Sequence, residues 1–169
     1  MYSNLNDFLS AYAMEHGTTV KVLQALSNDK LGHEKAPGDT PVAELAWHIA
    51  TAPGYMISHE GAGIEVDYVP PAGVSVDAIV AECSRVYDAT VAASKDKLAE
   101  RDLAQPSTWF GFELPLGAWL NMIVNHEVHH RGQLTAMMRN AGLKVPGCYG
   151  PNKEEFEEMM KQQAAAQAG

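Results

Sequence analysis

Hydrophobic residues recur every three or four positions along most of this chain, and their breaks mark its elements. The series Leu5, Phe8, Leu9, Tyr12, Val20, Leu23 and Leu26, with His16 and Thr19 on the same stripe, predicts an amphipathic helix ending near Ser27-Asn28. Residues 29–39 are polar and contain Gly32, Pro37 and Gly38. The pair Thr40-Pro41 then supplies an N-cap residue and a proline suited to the first helical position. A second helix turns Val42, Leu45, Ala46, Ile49, Ala52 and Met56 inward, loses one backbone hydrogen bond at Pro53, and ends or bends before Gly61. After the loop GAGIEVDYVPPAGV, Ser75 caps a third helix striped by Val76, Ile79, Val80, Cys83, Val86, Tyr87, Thr90, Val91 and Leu98.

Pro115 opens a long fourth helix with Leu116, Trp119, Leu120, Ile123, Leu134, Met137 and Met138 on its inner side, stopped at Asn140-Ala141-Gly142 by a glycine C-cap. Residues 99–114, with Pro106 and the aromatic run Trp109-Phe110-Gly111-Phe112, are expected to form a loop, with room for an extended turn, covering one end of the helices. Asn152 precedes a last acidic segment, KEEFEEMMKQQAAAQ, whose low-complexity tail is expected to fray. Four long amphipathic helices without strand-like alternation predict an all-α fold, an antiparallel four-helix bundle with a short C-terminal helix. At 169 residues it is expected to be one domain spanning 1–169. The periodicity does not encode the order of the helices in space.

Composition narrows the partners. Twenty-one Asp and Glu against 12 Lys and Arg leave a net charge of −9, which argues against nucleic-acid backbone or an anionic membrane and favours a small-molecule ligand. The start, MYSNLNDFLS, has no basic segment followed by an apolar one, and no run is apolar enough to cross a membrane, so a cytoplasmic protein is expected. Two cysteines, Cys83 in a helical stripe and Cys148 in a glycine-flanked loop, supply neither a disulfide framework nor a Cys-rich zinc site.

The chemistry concentrates in NHEVHHRGQL, Asn125–Leu134. On a helix His126 and His130 stack on one face about 6 Å apart, close enough to grip one ion, while His129 points roughly 100° away from His130. Both ligand candidates project towards the interior, His130 near the middle of the apolar face and His126 at its edge. Two imidazoles make a weak site, and His48, beside Leu45 and Ile49 on the second helix, is the natural third ligand. His59, roughly 16 Å further along that helix, is too distant to share the ion, and His16 and His33 read as surface residues. Three neutral imidazoles leave coordination positions open, the arrangement of a catalytic rather than a closed structural site. Glu127 also projects inward. It can orient a ligand imidazole, take a proton from metal-bound water or thiol, or form a buried ion pair with Arg131. Gln133 continues the histidine face and can bond a ligand or substrate, and Tyr55, seven residues after His48, can contact a bound cofactor.

Trp109–Pro151, through HxxHHRGQ, the R-x-x-G helix end and the VPxxYG tail, together with ELAWHI upstream, resembles the DinB-like (DinB/YfiT) family of metal-binding four-helix bundles. The resemblance covers nearly the whole chain in spacing. It implies a three-histidine centre for zinc, nickel or another divalent ion at His48, His126 and His130, and a homodimer, for which Met14, Trp47 and Met160 offer spare apolar surface. It also implies relatives that are thiol-dependent S-transferases and isomerases using a low-molecular-weight thiol, whose thiolate a metal favours. Two alternatives stand beside a metal-dependent transferase. In the first, His126-Glu127-His130 is the H-E-x-x-H of a zincin metallohydrolase, completed by Glu154 or Glu155. In the second, a non-catalytic, stress-associated bundle uses the ion only to tie helices together.

Overall fold

The computed structural model describes residues 1–167 and is an all-α bundle. Its helices are α1 (Leu5–Gln24), α2 (Val42–Ile57), α3 (Val76–Leu98), α4 (Leu116–Asn140) and α5 (Lys153–Gln167). No helix among the described residues is long and apolar enough to cross a membrane.

The caps show how the sequence sets these boundaries. Asn4 accepts from the Asp7 amide at the start of α1, and Ser75 accepts from the Ala78 amide at the start of α3. Thr40 does not cap α2. Pro41 takes the cap position, and the first amides of α2 are satisfied by loop carbonyls instead, Val42 donating to His33 O and Ala43 to Leu31 O. At the end of α4, Gly142 has φ 80°, and the bonds from Gly142 N to Arg139 O and from Leu143 N to Met138 O close a Schellman motif. Asn152 and Glu155 exchange side-chain and backbone bonds as a capping box for α5.

Packing settles the order that periodicity leaves open. α2 lies against α3 and α4, and α1 lies against α3 and α4, so the ring order is α1, α3, α2, α4. One apolar cluster joins Val22 and Leu23, Val42 and Leu45, Ile79 and Cys83, and Leu134 and Met138. A second joins Phe8 and Tyr12, Met56 and Ile57, Leu98, and Leu116 and Leu120. The clusters therefore gather the C-terminal halves of α1 and α4 with the N-terminal halves of α2 and α3. The expected antiparallel arrangement holds for two of the four neighbouring pairs, α1/α3 and α2/α4; α1/α4 and α2/α3 run the same way, the latter because residues 58–75 carry the chain back to its starting end. Gly54 permits the close α2–α3 approach, since a Cβ there would sit 2.9 Å from Val86 Cγ1.

The expected loop at 99–114 contains a β-hairpin, β1 (Pro106–Trp109) paired antiparallel with β2 (Phe112–Pro115). Phe110 and Gly111 form its two-residue turn, both with positive φ, 53° and 80°. As expected, it covers one end of the bundle: Trp109 is fully buried, stacks on Trp119 at 5.2 Å, and donates from Nε1 to Glu60 at 2.5 Å. Of the apolar residues offered for dimerisation, Met14 and Met160 are exposed. Trp47 is buried, its indole N–H donating to Asp67 O at 2.8 Å, and supplies no free surface.

Between the two apolar clusters lies a polar layer: Glu15 and Thr19 on α1, Thr90 on α3, and Glu127 and Arg131 on α4, all buried. Arg131 donates to Glu15 Oε2 at 2.5 Å, Glu15 O at 3.1 Å, Thr19 Oγ1 at 3.0 Å and Tyr149 Oη at 2.5 Å. Tyr149 in turn donates to Glu15 at 2.6 Å, so the pair also fastens residues 145–150 to the bundle. Removing one member of such a pair leaves an uncompensated buried charge, which costs roughly 3–5 kcal/mol. Arg131→Met should therefore lower unfolding free energy by about that amount in urea titrations; a loss under about 1 kcal/mol would show that the pair is not buried in solution.

Candidate metal centre

Successive residues on a helix point 100° apart, and α4 stands between α2 and α1. His126 and His130 thus face α2 while Glu127 and Arg131 face α1. His48 meets the two histidines from α2, its ring centroid 5.1 Å from that of His126 and 4.6 Å from that of His130. Among the described residues, these three imidazoles form a group able to hold a metal ion, with one nitrogen from each lying within 4.8 Å of the others.

The donor set fits such an ion. His126 Nε2 and His130 Nε2 are 3.1 Å apart, and bonds of about 2.0–2.1 Å from one zinc-sized ion would reach both. Even at the widest separation allowed by the cluster, closing on one ion takes each nitrogen a shift of under about 1 Å. Gln133 Oε1 accepts from His130 Nδ1 at 2.7 Å, which places that ring's proton on Nδ1 and its Nε2 lone pair towards the other histidines. The facing nitrogens can then share a proton as N–H···N or direct both lone pairs to a cation.

Electrostatics favour the neutral form of two of the rings, the form a ligand must have. Burial, reinforced by His130, His48 and His129, pushes His126 down to about 4. Burial, with His130 adding to it, also lowers His48. His48, His130 and Gln133 open onto a cavity of about 720 Å³ walled further by Leu45, Met137 and Tyr68; His126 does not reach its wall. Tyr68, with Lys35, Asp39 and Glu44 at the rim, was invisible in the sequence, because these are loop and surface positions without a periodic signal.

The other candidates lie elsewhere. Glu127 makes no hydrogen bond to a histidine and none to Arg131, which pairs with Glu15. It sits on the α1 and α3 side, where its charge bears on Tyr12, Cys83 and Tyr87. Tyr55 packs against Tyr68, His59 and Phe110 and lines a neighbouring cavity rather than the histidine one. Glu154 is held by Arg139 at 2.7 Å, and Glu155 caps α5, so neither joins the histidines. His129 and His59 are exposed, as expected. His16 is half-buried and not on the surface, stacked on Tyr87 at 3.9 Å.

A helical bundle with three histidines converging from two of its helices defines the class of protein. The chain belongs to the DinB family, whose model matches residues 1–165. It is 33% identical over 159 residues to the uncharacterized protein YrdA of Bacillus subtilis (strain 168), covering 92% of this chain and 94% of that protein. A DinB-like protein from Bacillus cereus ATCC 10987 superposes with a TM-score of 0.79 at 35% identity, over 88% of this chain and 100% of that one. The DinB-like protein YjoA of Bacillus subtilis shares the fold, with a TM-score of 0.66 at 18% identity over 86% of this chain and 99% of that one.

Glu127 generates a prediction of its own. Both its oxygens are buried without a hydrogen-bond partner among the described residues. Burial raises its carboxyl from 4.5 to about 7, while the Thr19 hydroxyl, close but outside hydrogen-bonding geometry, and the Arg131 guanidinium pull less strongly the other way. A raised folded-state value means that the stabilisation is complete below 4.5 and is lost as pH rises through about 7. In chelator-treated protein, the stability of Glu127→Gln relative to the unsubstituted chain should therefore climb by roughly 2–4 kcal/mol across that window. A constant difference from pH 4 to 8 would mean that the carboxylate is solvated or paired.

Proposed function

We propose that the protein is a divalent-metal enzyme in which His48, His126 and His130 hold a zinc or nickel ion, and that it acts as a thiol-dependent S-transferase on a small molecule. The observation that supports this reading is the convergence of three imidazoles at the edge of a cavity, with the tautomer of one set by Gln133. A metal ion there would supply the Lewis acidity that favours thiolate over thiol at neutral pH. The chain's own residues do the rest. The α2 and α4 backbones space the ligands, Gln133 holds the His130 ring, and Leu45, Met137 and Tyr68 give substrate a partly apolar wall. Glu127 points about 100° away from His126, towards α1, so the proton of a bound thiol would pass to solvent in the open cavity and not to that carboxylate.

The zincin reading needs a third ligand downstream of His130 and a glutamate aimed at the ion, and the engagements of Glu154, Glu155 and Glu127 favour neither. The family resemblance supports the choice of a thiol co-substrate, and the open cavity in a chain of net charge −9 supports a small molecule over nucleic acid or membrane.

Protein purified without chelators should carry about one divalent ion per chain by elemental analysis, and His48→Ala should lose most of it. Gln133→Leu should weaken metal binding by roughly 10- to 100-fold while leaving the helical spectrum unchanged. Because His126 is held down to about 4, ion release on acidification should come well below the ordinary histidine range. Full metal retention in His48→Ala would remove the three-histidine centre. A thiol-plus-electrophile screen on the metal-loaded protein tests the reaction itself: turnover that depends on both metal and thiol supports it, and a metal-replete protein inert with every thiol tried is no S-transferase.

A further inference from the structure

A second cavity, of about 780 Å³, lies beside the histidine cavity between α2, α3 and residues 61–74, and Tyr68 and Val69 form part of the wall of both. The segment that encloses it is strapped down by its backbone. Trp47 Nε1 donates to Asp67 O at 2.8 Å and Arg85 Nη2 to Glu65 O at 3.0 Å. With their carbonyls so engaged, Glu65 and Asp67 expose carboxylates that, among the described residues, have no ion-pair partner. The cavity's cation, Arg85, is already neutralised by Glu82 through two bonds of 2.6 and 2.7 Å.

Its aromatic wall is equally specific. Tyr55 and Tyr68 meet edge to face, centroids 4.9 Å apart and planes at 84°, and are 40% and 53% exposed. Phe110 backs Tyr55 at 5.7 Å and His59 at 4.5 Å from a turn position with φ 53°, a conformation that costs a bulky residue free energy. Two exposed rings at right angles and two carboxylates without an ion-pair partner line one cavity, offering a flat face, an edge and negative charge, which matches an aromatic or apolar body carrying a cationic amine.

We infer that this second cavity binds the ammonium-bearing, aromatic portion of a small molecule whose other end extends past Tyr68 into the histidine cavity. The extension into the histidine cavity rests on the functional reading above; the amine site itself does not. Binding of 2-phenylethylamine and of its anionic counterpart 3-phenylpropanoate to the full-length protein, followed by calorimetry, tests it. The amine should bind, the carboxylate should not, and Tyr55→Leu and Asp67→Asn should each weaken the amine about tenfold. Both side chains are exposed and Asp67→Asn keeps the carbonyl that Trp47 uses, so the variants should retain the unsubstituted circular dichroism spectrum. His48→Ala should bind the amine unchanged while losing metal, which separates failure of the metal centre from failure of this site. No amine binding, equal binding of both probes, or amine binding that depends on His48 but not on Tyr55 and Asp67 would overturn the inference.

Discussion

Burying a guanidinium halfway along a helical bundle costs several kcal/mol unless its donors are satisfied, and Arg131 sits there 2% exposed. It is satisfied only because Glu15, Thr19 and Tyr149 reach it from α1 and from the chain that follows α4. That requirement fixes the rotation of α4 against α1. Once Arg131 and Glu127 are directed to α1, the 100° step of the helix leaves His126 and His130 no direction but towards α2. The position of the histidines is thus a consequence of where the charge is buried.

The same layer separates two apolar clusters, one at each end of the bundle, that hold the four helices in register. His48 meets α4 at the level of this layer because α2 and α4 run antiparallel and each places a polar residue midway between its apolar stretches. Confined between well-packed ends, the imidazoles are spaced by backbone and not by flexible loops, which is the preorganisation a site of three ligands needs. Gln133 adds the last constraint by fixing which nitrogen of His130 carries its proton.

Much of this was legible. The apolar stripes located the helices, Ser75 and Gly142 marked two of their ends, and the four-residue spacing of His126 and His130 placed both on one side of α4. Other features escaped because their signals are tertiary. Thr40 is a good cap by type, yet His33 and Leu31 carbonyls reach the α2 amides first. The hairpin turn is a Phe-Gly pair, without the Asn or Asp that would announce it. Glu127 and Arg131 look like an i, i+4 pair, but Glu15, distant in sequence, takes the arginine.

The sequence by itself determined what is local: which segments are helical, which face of each is apolar, and which residues are chemically able to bind an ion. Periodicity and side-chain type are properties of a few consecutive residues, so no partner is needed to read them. Only the tertiary structure decided that α4 lies between α2 and α1, that Glu127 and the histidines serve different neighbours, and that residues 61–74 wall two adjoining cavities. Those outcomes depend on how whole helices pack and on which distant group satisfies each buried charge, and neither is recorded in any short stretch of the chain.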